Sequence, residues 1–139
     1  MKKILIAHDG SKSSEKALKK AFQISETFRS SLTVLSVIPE LYLTELMEMD
    51  RARILDTMAK ETREMMEKIK TKSKRVKSLR TIIKQGDPAE EILKTAEKIK
   101  ADVIITGSHG RHGAQRFLLG SVSSKIVDHA ECDVLVVKK

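Results

Sequence analysis

The sequence predicts an α/β fold, a five-stranded and mostly parallel sheet with helices on both faces. Three observations carry that expectation. Short β-rich runs alternate strictly with segments whose apolar residues recur at helical spacing. One run, Val103 to Thr106, is continuously apolar, as strands buried on both faces are. Polar or glycine-rich stretches follow the first and fourth runs. Parallel neighbours need crossover connections, and alternating helices supply them.

The first strand spans Lys3 to His8, and the loop Asp-Gly-Ser-Lys-Ser-Ser follows it. Leu18, Ala21, Phe22, Ser25 and Phe28 then give a helical stripe. Leu32 to Ile38 forms a second strand, stopped by Pro39, which has no N–H to donate. A long helix covers about Thr44 to Lys70, with Ile54, Leu55, Met58, Met65, Met66 and Ile69 on its apolar face and a less regular lead-in from Leu41 to Asp50. Leu79 to Ile83 is a third strand, ending at Gly86. Asp87 as N-cap, Pro88 at the first helical position and Glu90 at the capping-box position start the next helix, whose stripe is Ile92, Leu93, Ala96 and Ile99. After the fourth strand, a helix from Ser121 to His129 leads to a last strand, Val134 to Val137.

A length of 139 residues suits a single domain covering 1–139. With 40% hydrophobic and 33% charged residues the chain is too apolar for disorder. Cys132 has no intramolecular partner, the N-terminal apolar stretch stops at His8, and no apolar run approaches a membrane span. A cytoplasmic location is therefore expected. The formal charge of +8 favours anions without choosing among them.

In open α/β sheets ligands bind beyond the carboxyl ends of the strands, which directs attention to the loops after strands one and four. The latter carries Gly107, Gly110 and Gly120, with Ser121, Val122 and Ser123 at the start of a helix. Free N–H groups and the macrodipole favour phosphate there, and two serine hydroxyls add donors. No glycine precedes Lys-Ser or Lys-Thr, so this is not a P-loop, and the dinucleotide fingerprint is absent as well.

A glycine, two residues, a glycine, nine residues and then Gly-Ser is a spacing that resembles the ATP-binding branch of the universal stress protein family. The likeness extends from the Lys-Ile-Leu-Ile strand closed by Asp9 to the C-terminal Val-Leu-Val-Val strand. It implies a Rossmann-like open sandwich with strand order 3-2-1-4-5 and a nucleotide-dependent stress switch. It also implies that Gly107 and Gly110 approach the ribose and phosphates, and that Gly120, Ser121 and Val122 cradle the phosphates beside Ser123. Ala7 and Asp9 would meet the nucleoside, and Val37 would touch adenine. The implied ligand is ATP, or AMP or ADP, with Mg or Mn bridging phosphates. His8 departs from the Val or Pro that relatives often carry there. An apolar edge at Val134 to Val137 points to a homodimer, also common in the family.

Other residues have plainer readings. Asp9 could cap the first helix or hold its turn. His109, Arg111 and His112 read as solvated, and two histidines without acids or cysteines make a poor metal site. The cations from Lys68 to Arg80 suit a helix C-terminus and an edge strand, and with three Phe and one Tyr in the chain a nucleic-acid partner is not expected. The methionines from Met47 to Met66 read as core filling, or as a plastic partner surface or a lid over the nucleotide. A slow Mg-dependent ATPase and a basic adaptor remain as alternatives, with an unidentified protein as the switch's partner.

Overall fold

The computed structural model describes residues 1–40, 48–109 and 119–138. Its elements follow in the order β1 (Lys3–Ala7), α1 (Lys12–Phe28), β2 (Ser31–Pro39), α2 (Glu48–Thr71), β3 (Ser78–Gly86), α3 (Pro88–Ile99), β4 (Val103–Gly107), α4 (Ser121–His129) and β5 (Asp133–Val137). All strand pairs are parallel, in the order β3-β2-β1-β4-β5. This is the predicted α/β sandwich, and Gly110 and the lead-in residues 41–47 lie outside the described residues.

β1 and β4 lie in the middle of the sheet, and their side chains serve two cores. Ile4, Ile6, Val103 and Ile105 pack with Ala17, Leu18 and Ala21 of α1 and with Met66 and Ile69 of α2. Leu5 and Ile104 face the other way, onto Ala89, Ile92 and Ala96 of α3 and Ile126 of α4. Strand alternation sends successive side chains to opposite layers. Each large aliphatic chain so buried contributes about 1.5–3 kcal/mol.

The ends of these elements have local causes. Ser11 caps α1, its hydroxyl accepting from the Ser14 amide at 3.1 Å, and Gly10 makes the preceding turn at φ 83. Asp87 caps α3 through the Glu90 amide at 3.0 Å, with Pro88 in the first turn as its fixed φ allows. β2 reaches one residue further than expected, pairing Pro39 with Gly86 at the margin of the ladder, where a missing N–H costs one terminal bond.

Candidate functional site

A cavity of about 490 Å³ opens beyond the carboxyl ends of β1, β2 and β4, within the size range of small-molecule sites. It lies at the switch point, where β1 pairs with β2 on one side and with β4 on the other. Ala7, Asp9, Val37, Gly107, Gly120, Ser121, Val122 and Ser123 all line it. Gly110, Arg111 and His112 fall outside the described residues.

The β1–α1 turn forms one wall. Asp9 does not cap α1. Its Oδ1 accepts from the Ser11 amide at 2.9 Å and so holds the turn that presents Ser11 as the cap. Burial works to raise the Asp9 pKa, but the hydrogen bonds from Ser11 and Ser14 outweigh it, and the carboxyl stays below its ordinary range. Beside it His8 is 2% exposed, with Nε2 3.0 Å from Glu15 Oε1 and Nδ1 buried without a hydrogen-bond partner. Burial lowers the His8 pKa, and the Glu15 carboxylate offsets this only in part.

The opposite wall is the start of α4. Ser108 O accepts from the Gly120 amide at 2.7 Å and from Ser123 Oγ at 3.0 Å, so the two ends of the glycine-rich segment are tied together. Gly120 is the N-cap residue at φ −62, and no side chain caps the helix. Its first turn carries no acid, whereas α1 and α3 have side-chain caps and acids in theirs. Ser121 is exposed at this helix start. Ser123 is buried and its hydroxyl is turned onto Ser108 O, so the donor expected from it is engaged within the protein.

Gly107 lines the cavity for an unexpected reason. A Cβ there would run into Ser13 of α1, coming within 2.8 Å of its carbonyl carbon and closer still to its hydroxyl. The glycine thus lets α1 lie directly on the end of β4. Ser13 Oγ also donates to Val137 O at 3.4 Å and accepts from the His109 amide at 3.5 Å, linking α1, β5 and the loop.

Two helices add to the cavity, the first in keeping with the alternative reading of its methionines as a lid and the second not anticipated from the sequence. Met58, Glu61 and Thr62 of α2 form a wall over the β2 end, and Pro88 and Ile92 of α3 extend it. The run of methionines was the available signal for the first. For the second the helix stripe pointed only to core. Among the described residues no group of three or more His, Cys, Asp or Glu could hold a metal ion, and no helix is long and apolar enough to cross a membrane.

The model of the universal stress protein family matches residues 1–138. A universal stress protein of Methanocaldococcus jannaschii is 37% identical over 141 residues, covering 99% of this chain and 82% of the relative. The solved structure of the universal stress protein UspA from Lactobacillus plantarum superposes with a TM-score of 0.87 at 29% identity, over 98% of this chain and 97% of the other. Two more distant structures share the fold. One is a universal stress protein in complex with cAMP, with a TM-score of 0.74 at 22% identity over 98% and 96% of the two chains. The other is an Arabidopsis thaliana family member with AMP bound, at 0.73 and 20% over 100% and 92%.

Proposed function

Because the chain belongs to the universal stress protein family, we propose that it binds an adenine nucleotide in the cavity beyond β1, β2 and β4 and serves as a nucleotide-dependent stress switch. The observation that carries this reading is the start of α4, uncapped and free of acid on the cavity wall while α1 and α3 are capped. Unpaired amides at a helix start attract phosphate through hydrogen bonds and the macrodipole. The AMP and cAMP bound by structures of the same fold support the adenine class.

In this reading the phosphates rest on the amides of Ser121 and Val122, next to Ser123, while the Gly120 amide, also expected to hold them, is already given to Ser108 O. The ribose lies toward Gly107 and Gly110, the nucleoside meets Ala7 and Asp9, and adenine reaches Val37. ATP is the expected ligand, with AMP or ADP as its lower-charge forms. Mg or Mn would bridge the phosphates, since the described residues provide no dedicated metal cluster. A cytoplasmic setting suits the lone Cys132, and the switch would be read by a protein partner. The same reading includes a homodimer through β5, where Leu135 is 37% exposed.

The test is to denature purified protein and identify the released nucleotide by chromatography and mass, alongside Gly120→Asp. Asp at this position is a good N-cap, and the glycine's φ is ordinary. Its Cβ would meet Ser108 O at 3.3 Å, a contact that asks for a small shift. The variant should therefore stay folded while its carboxylate takes the place of phosphate. Adenine nucleotide in the wild type and none in the variant is the expected result. An empty wild type that also refuses added ATP would overturn the proposal.

A further inference from the structure

Between Glu67 and Asp87 the chain carries eight Lys and Arg, from Lys68 to Lys84, and no acid. Taking those eight from the 27 Lys and Arg leaves 19, which the 19 acids balance. The whole formal charge of +8 is thus the charge of this one segment. Helix-end and edge-strand roles account for part of it. Lys68 and Lys70 close α2, where Lys70 pairs with Glu67 at 3.1 Å, and Arg80 and Lys84 are exposed on the edge strand β3.

Lys72, Lys74, Arg75 and Lys77 lie in the turn after α2 ends at Thr71 and before β3 starts at Ser78, with Lys72 next to the helix end, where its charge also acts on His8, and the other three beyond both roles. All four are exposed, and among the described residues none of them forms an ion pair. The sheet register brings further cations to this end. Lys3 pairs with Ser31 and Ser31 with Ser78, so Lys2, Lys3, Arg29 and Lys77 sit at the amino ends of three adjacent strands. Of the acids at this end, Asp102 accepts from the backbone amides of Lys2 and Lys3 at 2.7 and 2.8 Å, while Glu26 lies on α1 before Phe28 and Asp133 opens β5. Phe28, at the end of α1, is 60% exposed next to Arg29.

We infer that this amino end of the sheet, opposite the cavity, binds single-stranded nucleic acid through its phosphodiester backbone, with a base stacked on Phe28. A row of cations answers a ligand whose charge repeats along its length. An exposed aromatic beside them answers the face of an unpaired base, which a duplex conceals. A protein interface needs an apolar centre, and here Phe28 and Met1 are the exposed large apolar side chains. Mostly lysine, the surface positions phosphates and reads no sequence.

The experiment follows the anisotropy of a labelled single-stranded RNA homopolymer of about 20 nucleotides, a length that spans several phosphate contacts, over a range of KCl. It compares the full chain with two variants of equal net charge. One is K72S/K74S/R75S/K77S. The other is K16S/K19S/K20S/K60S, which removes exposed lysines in α1 and α2, short of this end. Circular dichroism confirms that both fold. The turn variant should bind at least about tenfold more weakly, with a slope of log K against log salt flatter by about 3, from four contacts at about 0.7 each. The control should keep the wild-type slope, and Phe28→Ala should weaken binding without changing it. Equal loss in both quadruple variants, or no binding at low salt, would overturn the inference. Stronger competition by polyglutamate or by phosphatidylserine vesicles would overturn it as well, in favour of an acidic protein or a membrane surface.

Discussion

Gly107 shows how one residue can serve packing and a site together. Its missing side chain lets Ser13 and the α1 backbone touch the end of β4, and Gly107→Ala forces a methyl to within 2.8 Å of the Ser13 carbonyl carbon. Overpacking of this kind costs about 1–3 kcal/mol. The variant should unfold at a lower urea concentration, and an unchanged midpoint would refute the contact. His8 makes a second residue-scale prediction, in pH. Its folded pKa lies below the usual histidine value because the ring is buried with one nitrogen unpartnered. The unfolded chain therefore binds more protons as the pH falls through about 6.5 toward the folded pKa. Stability present above that window is lost within it. His8→Gln should flatten the decline measured by urea denaturation between about pH 7 and 5, and identical slopes in the two proteins would remove His8 as its cause. The shifted titration of His8 was invisible in the sequence, where the residue was only a departure at the end of a strand. Its environment comes from Glu15, one helix turn into α1.

At the scale of elements, much was legible because local signals agreed with the tertiary fold. Asp87 and Pro88 announced α3, and the apolar run from Val103 announced the buried strand β4. The wall that α2 adds to the cavity was legible only as the alternative reading of its methionines. Periodicity shows which face of a helix is apolar, but not that Met58, Glu61 and Thr62 pass over the end of β2. Of the two roles the sequence left open for Asp9, capping α1 or holding its turn, the structure has the second, since Asp9 and Ser11 are both good N-caps and only the turn geometry distinguishes them. The two sheet edges also differ in a way that bears on assembly. β3 carries Arg80 and Lys84 exposed, whereas β5 exposes Leu135, with Val127 of α4 45% exposed. Charge guards the first edge and leaves the second to be paired. Sedimentation should find a dimer at micromolar concentration, with Leu135→Lys shifted to monomer. A wild type that stays monomeric would exclude the β5 interface.

For the whole molecule, the parallel sheet gives every strand a carboxyl end on the cavity side and an amino end on the opposite side. The uncapped α4 start belongs to the first side and the unpaired cations to the second. The strand order was legible only through family resemblance, because alternation predicts a parallel sheet without saying which strands are neighbours. The glycine spacing located the cavity correctly, but its residues act differently from one another. Gly107 makes room for α1, Gly120 leaves a helix start open, and Ser123 ties the loop ends together. The central claim is that phosphate occupies that helix start. Calorimetric titration of ATP with Mg²⁺ into nucleotide-stripped wild type and Gly120→Asp tests it most directly. The account predicts saturable one-to-one binding that the variant lacks while remaining folded. Equal affinity in the two proteins would contradict it.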